Sequence, residues 1–338
     1  MSSSLSSRAP RLPEMRSATG LAPDIAFHRA AAGLRNPIGV HAGTWTAGWS
    51  PEAARFAIEG AAAAGFDLIE IPLPAPDERD PALTRSLLER AGLDAVVSLA
   101  LTPQTDINTE DPALSAAGES QLMAAVEFAA GIGAGYIGGV TFSAMAPYTH
   151  PATPASRSNS QAVLRRVAAA AHERHILIGL EYVNRYESNL LNTAAQTAEF
   201  IGELRLAGAD NVLLHIDTYH ANVEELSQAE AVRDAGAMLG YIHVAENHRG
   251  RLGTGSIDWA GLFTQLDASG YSGPLTFESF SPDVASAATR DEINLWRSLW
   301  SDPAEVSRHA AGFLREQLAA ARTDSSPASS SPTFRTTN

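Results

Sequence analysis

The sequence predicts an α/β protein that folds as a single (β/α)₈ TIM barrel, on three observations. A short β-rich run, a polar break and an Ala- and Leu-rich helical stretch alternate along the chain over about 250 residues, the usual length of such a barrel. No G-x-G-x-x-G fingerprint follows the first strand, where an open dinucleotide-binding sheet would carry one. Polar, acid-rich segments follow the last four predicted strands, where a parallel barrel places its active site.

The predicted strands and helices alternate from residue 38 onwards. The strands span 38–41, 68–71, 95–101, 136–141, 176–182, 212–217, 241–244 and 275–278. The first helix, 51–64, has Ser50 at its N-cap, proline at its first position and Gly65 at its end, which are common start and stop signals. Further helices are predicted at 115–131, 158–174, 193–207 and 257–269, with 294–299 and 303–320 as helices that close the outside of the barrel.

These elements predict one catalytic domain at 36–322, between an N-terminal extension at 1–35 and a tail at 323–338. The extension is rich in Ser and Arg but lacks the apolar segment of a secretory signal. The Ser- and Pro-rich composition of the tail predicts disorder. Because no apolar run approaches the roughly 20 residues of a membrane span, we expect no membrane association. The absence of cysteine suits a cytoplasmic protein.

Composition excludes several classes of function. The formal net charge is −14 and no basic block is present, which argues against binding of nucleic acid or anionic membrane surfaces. All 24 basic residues are arginine. The chain therefore has no lysine for a Schiff base, a P-loop or acid/base catalysis. Without cysteine it has no thiolate nucleophile or thiolate metal site.

Charged and imidazole side chains stand at the ends of the last four predicted strands. Glu181 ends the fifth strand, Asp217 the sixth and Glu278 the eighth, while the seventh carries His243. The strand ends of a parallel barrel lie on one face, so these side chains can converge. Three carboxylates and an imidazole at one point repel one another unless a positive charge lies among them. A divalent cation such as Mn²⁺ satisfies this oxygen-rich donor set.

Two alternatives remain open at this point. Each of these residues, taken alone, can instead cap a helix or pair with an arginine. The remaining histidines have no spacing that ties them to the site, so no role there is predicted for His41, His150, His215 and His248.

Four segments around these residues resemble a known family. GLEYVNRYESNLLNTAAQTAEFI, HIDTYHANVEE, HVAENHRGRLGTGSIDW and FESF are similar to the ketose 3-epimerases, the D-tagatose, D-allulose (psicose) and L-ribulose 3-epimerase group. That group lies within the xylose isomerase-like TIM-barrel superfamily. The likeness covers about 176–280.

The resemblance implies a cofactor, an assembly and a role for each site residue. It implies one divalent ion, Mn²⁺ with Co²⁺ or Mg²⁺ as alternatives, and a homodimer or homotetramer that acts on a free ketose. The acid/base pair would be Glu181 and Glu278. The implied metal ligands are Glu181, Asp217, His243 and Glu278, and the groups that hold the O1–O3 end of the ketose are Glu187, His220 and Arg249.

One feature of the family is missing. The fourth strand and its loop lack the tryptophan that forms a sugar-stacking wall in some members, and Tyr148 or Trp45 is the expected substitute.

The chemistry agrees with the resemblance. Inversion at a carbon next to a carbonyl requires proton removal from one face and proton return to the other. Glu181 and Glu278, from non-adjacent strands, supply two such groups. A cation on the substrate oxygens stabilises an enediolate, and Arg249 adds positive charge. The prediction is metal-dependent inversion at C3 of ketoses of the D-fructose/D-allulose, D-tagatose/D-sorbose or L-ribulose/L-xylulose type.

Other barrel enzymes were weighed against this reading. A hydroxypyruvate isomerase-like or inosose dehydratase-like enzyme keeps the carboxylates but is not expected to combine Glu187, His220 and Arg249. A 1,2-aldose–ketose isomerase of the xylose type relies on a lysine. An endonuclease IV-like hydrolase needs further metal-binding histidines and a basic face. A sugar-binding barrel without activity has no need of both Glu181 and Glu278.

Overall fold

The structure, a computed structural model, describes residues 36–324. Eight parallel strands pair in sequence order, and the eighth pairs with the first to close a barrel, which confirms the predicted fold class. The predicted extension at 1–35 and the predicted tail from 325 lie outside the described residues. The strands are β1 Ile38–His41, β2 Leu68–Pro72, β3 Asp94–Ser98, β4 Tyr136–Gly138, β5 Leu177–Glu181, β6 Val212–Asp217, β7 Leu239–Val244 and β8 Leu275–Phe277.

The helices pack around the outside of the strands. They are α1 Pro51–Ala64, α2 Pro81–Ala91, α3 Pro112–Ile132, α4 Pro154–His172, α5 Ala194–Leu206, α6 Thr218–Glu224, α7 Gln228–Ala235, α8 Trp259–Ser269, α9 Ala287–Glu292 and α10 Pro303–Asp324. Within residues 36–324, none of them is both long enough and apolar enough to cross a lipid bilayer.

The predicted boundaries of α1 are confirmed by its caps, whereas two strands end earlier than predicted. The Ser50 side chain accepts a hydrogen bond from the Ala53 N–H, and Gly65 ends the helix with φ +92°. β3 and β4 each stop three residues before the predicted end. Gly139, with φ +101°, turns the chain directly after β4, and only an isolated bridge between Leu101 and Ala144 continues the pairing.

The predicted helix at 294–299 is wrong. The helix in this region is α9, which ends at Glu292, and Asn294 has φ +57°, a left-handed conformation that a helix interior does not accept. The segment 293–299, here called the strap, instead runs across the open end of the barrel. The second predicted closing helix is present as α10, which begins at Pro303 as predicted and extends to Asp324, past the predicted domain limit at 322.

The barrel interior has an apolar lower layer and a polar upper layer. The lower layer is a separate buried cluster: Leu68, Val96, Tyr136, Leu177, Leu213 and Tyr241. Side chains two residues apart on a strand point to the same face, so the next inward positions are Glu70, Ser98, Gly138, Gly179, His215 and His243. Inward positions at the carboxyl ends are therefore polar. The site is built on this upper layer.

Gly179 lies directly beneath Glu181 on β5 and leaves room for the Tyr136 ring. A Cβ at this position would lie 1.7 Å from the Tyr136 hydroxyl oxygen. We expect Gly179→Ala to lower the free energy of unfolding by about 1–3 kcal/mol, because the ring must move within a packed barrel. Urea denaturation measures the change.

The matched control is Gly202→Ala in α5, where an added Cβ meets no atom within 4 Å. That change should raise stability by about 0.5–1 kcal/mol, since alanine restricts the unfolded chain and favours the helix. A Gly179→Ala protein as stable as the native one would contradict the packing described here.

Candidate active site

Four side chains from four successive strands converge at the carboxyl end of the barrel. They are Glu181 at the end of β5, Asp217 at the end of β6, His243 within β7 and Glu278 directly after β8. One donor atom of each lies within 4.8 Å of the others, and all four side chains are buried. His243 Nδ1 is 3.1 Å from Glu181 Oε1 and 3.7 Å from Glu278 Oε1. The structure thus brings together the predicted ligand set.

The protonation of this cluster is uneven. Burial raises the pKa of Asp217 to about 8, with Arg249 opposing the rise and the other carboxylates adding to it. Burial likewise raises the pKa of Glu181. The pKa of Glu278 is lowered, because His243 and Arg249 outweigh the effect of burial. The cluster therefore holds more carboxylate than its own cations neutralise.

The residues present fit a divalent cation. Asp217 Oδ2 is buried and accepts no hydrogen bond within the described residues, although Arg249 NH2 lies 3.3 Å away. Its other oxygen accepts from the backbone N–H of Tyr219 at 2.9 Å. Three carboxylates and one imidazole nitrogen form a donor set suited to Mn²⁺ or a similar ion. An oxygen left without a hydrogen bond in such a set is what an ion would satisfy.

Arg249 lies against the cluster from the β7–α8 loop. Its NH1 forms a hydrogen-bonded ion pair with Glu278 Oε2. The guanidinium carbon sits 4.1 Å from the Tyr219 ring centre and 5.4 Å from that of Phe280. The pKa of Arg249 is raised, because Glu278 and Asp217 outweigh the effect of burial. A fixed cation with free N–H directions therefore faces the cavity beside the carboxylates.

A buried carboxylate holds the loop that carries Arg249. Glu246 accepts hydrogen bonds from the backbone N–H of Gly253 at 2.9 Å and from the Trp259 indole N–H at 3.2 Å. Arg249 itself has φ +57°, which a non-glycine residue adopts only when its surroundings hold it there. The loop therefore presents Arg249 in a defined position.

His220 and Glu187 form a polar wall next to Asp217. The Asn184 side-chain amide lies 2.9 Å from both His220 Nδ1 and Glu187 Oε1 and links the two residues. Because His220 Nδ1 also faces the backbone N–H of Asn184 at 3.3 Å, it acts as an acceptor and its ring proton is on Nε2. That nitrogen lies 3.6 Å from Asp217 Oδ2 and 4.0 Å from Glu187 Oε2. Burial lowers the pKa of His220 well below its ordinary value, so the ring is neutral.

Three site residues were missed by reasoning from the sequence: His41, Glu70 and His215. His41 and Glu70 line the cavity, and Glu70 Oε2 lies 2.8 Å from His243 Nε2. His215 is buried beneath the ligands, with its ring centre 4.2 Å from that of His243. The inward alternation of β2 and β6 was the available signal, since Glu70 follows Leu68 and His215 precedes Asp217 by two positions.

The outer histidines differ. His248 lines the cavity, contrary to the expectation, whereas His150 is exposed and its ring lies beside the Pro151 carbonyl.

The cavity above the ligands has a volume of about 790 Å³, within the range of small-molecule sites. Neither predicted stacking residue lines it. Tyr148 donates a hydrogen bond to Asp106 at 2.7 Å, and the buried Trp45 packs against Phe56. The aromatic lining comes instead from Tyr219, Phe280 and the strap residue Trp296, which is 69% exposed.

Comparison with known proteins places this geometry in context. The family described as xylose isomerase-like TIM barrel matches residues 58–317. The ketose 3-epimerase of Arthrobacter globiformis is 42% identical over 286 residues, which cover 85% of this chain and 98% of that protein. The L-ribulose 3-epimerase of Methylomonas sp. (strain DH-1) is 41% identical and covers 82% and 96%, respectively. The structure of a Methylomonas sp. D-allulose 3-epimerase in complex with D-allulose superposes with a TM-score of 0.81 at 41% identity, over 84% of this chain and 97% of that one.

Proposed function

The chain belongs to the xylose isomerase-like TIM-barrel family and, within it, to the ketose 3-epimerases, which are carbohydrate isomerases, and from this premise we propose that it reversibly inverts C3 of a free ketose. The observation that carries the proposal is the pair Glu181 and Glu278. Both carboxylates approach His243 Nδ1, at 3.1 and 3.7 Å, from strands that are not neighbours. Two proton carriers on opposite sides of one bound carbon are what inversion requires.

The opposite pKa shifts of the two glutamates support a division of labour. Glu278, with its lowered pKa, is ready to accept the C3 proton, and Glu181, with its raised pKa, is ready to return a proton to the other face. In the reverse direction the roles exchange, as microscopic reversibility demands. The substrate passes through a cis-enediolate between the two transfers.

We propose one divalent ion, Mn²⁺ with Co²⁺ or Mg²⁺ as alternatives, as the cofactor. Its ligands would be Glu181, Asp217, His243 and Glu278. When bound, it supplies Lewis-acid stabilisation of the negative charge that develops on the substrate oxygens.

The remaining polar groups would bind the O1–O3 end of the ketose. Arg249 supplies N–H donors and a positive charge, and stacking on Tyr219 limits the directions in which it can move. His220 offers Nε2–H as a neutral donor, and Glu187 accepts from substrate hydroxyls. These residues orient the sugar so that C3 faces the two glutamates.

The names of the relatives guide the choice of substrates. We propose the D-fructose/D-allulose, D-tagatose/D-sorbose and L-ribulose/L-xylulose pairs, because the similar proteins are a ketose, an L-ribulose and a D-allulose 3-epimerase. The test is to incubate the purified protein with D-fructose, D-tagatose and L-ribulose and to separate the products by chromatography. We expect the C3 epimer from at least one of them. An aldose as the main product would identify a 1,2-isomerase, and no turnover of any ketose would refute the proposal.

We also propose a homodimer or homotetramer and a cytoplasmic location. Several large apolar side chains are exposed on the isolated chain, among them Tyr186, Leu206 and Leu226, and association would cover such groups. The location is supported by the absence of cysteine.

A further inference from the structure

Glu70 is a buried carboxylate whose position the roles described so far do not explain. It lies in the middle of β2, is 1% exposed, and points into the barrel above Leu68. Its donor atoms do not belong to the cluster formed by Glu181, Asp217, His243 and Glu278. A buried carboxylate is costly unless it is paired and hydrogen-bonded. Its partners therefore indicate why it is there.

The main partner of Glu70 is His243. Glu70 Oε2 accepts a hydrogen bond from His243 Nε2–H at 2.8 Å, and both side chains are almost fully buried. Since the proton is then on Nε2, the lone pair of a neutral ring is on Nδ1. Nδ1 is the nitrogen that faces Glu181 and Glu278. One hydrogen bond thus determines both the tautomer and the ring orientation at the ligand cluster.

His41 holds Glu70 from the other side. The backbone N–H of Gly43 donates to His41 Nδ1 at 3.0 Å, which leaves the His41 ring proton on Nε2. That nitrogen faces Glu70 Oε1 at 3.9 Å. Oε1 accepts no hydrogen bond within the described residues, so it has room for a closer approach or a bridging water. Two imidazoles and no arginine therefore surround the carboxylate.

A role in fold stability alone does not account for this arrangement. A buried ion pair gains little over apolar residues of the same volume, because desolvation offsets the attraction. The layer directly beneath, with Leu68 and Tyr241, is already closely packed without charge. Carboxylates that accept the second N–H of a metal-binding histidine are, in contrast, a general feature of metal centres.

We propose that Glu70 is a positioning residue of the metal centre, which acts through His243 by holding its Nε2–H tautomer and presenting Nδ1 to the ion. His41 supports Glu70 in this role. The inference rests on the proposed function, since it assumes that His243 binds the metal.

The first test measures metal binding directly. Mn²⁺ is titrated into the chelator-treated protein, and free Mn²⁺ is followed by its electron paramagnetic resonance signal. Glu70→Gln has the same shape but a neutral and weaker acceptor, and we expect Mn²⁺ affinity to fall about 10- to 100-fold. Glu70→Ala, without an acceptor, should lose more than Glu70→Gln. A packing role would instead leave the isosteric glutamine variant at native affinity.

The control is Glu225→Gln. Glu225 also accepts a buried backbone hydrogen bond, from Ala194 at 2.7 Å, but lies away from the ligands. Its loss should leave Mn²⁺ affinity within about twofold of native, a change far below the roughly 1.4 kcal/mol of a tenfold effect. A folded Glu70→Gln protein that also stays within about twofold would overturn the proposal.

The second test needs no variant of Glu70. In the native protein loaded with diamagnetic Mg²⁺, ¹⁵N NMR of the His243 ring, assigned by comparison with His243→Gln, should show the proton on Nε2. A proton on Nδ1 would overturn the inference even if Glu70→Gln failed to fold. Asp217→Asn separates the two levels of the argument. If that variant binds Mn²⁺ as tightly as native, the metal centre itself is wrong. If only Glu70→Gln is unaffected, the metal centre stands and the role of Glu70 falls.

Discussion

Removal of divalent metal should reduce ketose turnover by about 10³-fold or more, and added Mn²⁺ should restore it. Lewis-acid stabilisation of developing charge is worth several kcal/mol, and each 1.4 kcal/mol corresponds to a factor of ten. Without an ion, the carboxylates at Glu181, Asp217 and Glu278 also lack the positive charge that would hold them together. The measurement compares initial rates of native, chelated and reloaded protein, with metal content determined in parallel.

Asp217→Asn provides the matched variant for this prediction. It changes the charge of a ligand but hardly its volume, and asparagine can still accept the Tyr219 N–H. We expect weaker Mn²⁺ binding and lower turnover with a melting temperature close to native. Full activity in protein shown to contain no metal would contradict the proposed centre.

Glu181→Gln and Glu278→Gln should each lower turnover by about 10²- to 10⁴-fold, the usual contribution of a general acid or base. Glutamine keeps the shape of each side chain but can neither accept nor deliver the C3 proton. Because each glutamate is also a proposed metal ligand, the rates are measured at saturating Mn²⁺ so that lost affinity does not imitate lost proton transfer.

The same Glu225→Gln variant serves as the control for this pair and should retain near-native turnover. Melting temperatures of all variants exclude unfolding as the cause. A loss below tenfold at both Glu181 and Glu278 would not fit a two-carboxylate mechanism.

The barrel and its four converging ligands could be predicted from the sequence because both depend on regular geometry. Glu181, Asp217 and Glu278 each follow or end an apolar strand, and parallel strands bring such ends to one face. Nothing about the packing of individual side chains is needed for that conclusion.

Glu70 could not be assigned in the same way, because its meaning depends on a contact across the barrel. Its partner His243 is 173 positions away along the chain. In the sequence Glu70 is a single acid within an apolar strand, and only the inward alternation of that strand hints at its direction. His215 was missed for the same reason.

The strap shows a different limit. Residues 294–299 combine apolar and polar side chains at spacings compatible with a short helix, but Asn294 adopts a left-handed conformation after α9 ends. Asparagine tolerates that conformation better than most residues, so it can stop a helix where no glycine or proline marks the end. The consequence for the site is substantial, because the strap brings Trp296 to the cavity, whereas Trp45 and Tyr148 lie elsewhere.

The most direct test of the central claim is the position of the label after turnover in D₂O. The product is isolated at low conversion and examined by NMR. Inversion by Glu181 and Glu278 at C3 predicts deuterium at C3 of the product ketose and none at C1, because the returned proton comes from a carboxyl group that exchanges with solvent. Deuterium at C1, or an aldose as the labelled product, would contradict epimerisation at C3 and identify a 1,2-isomerase.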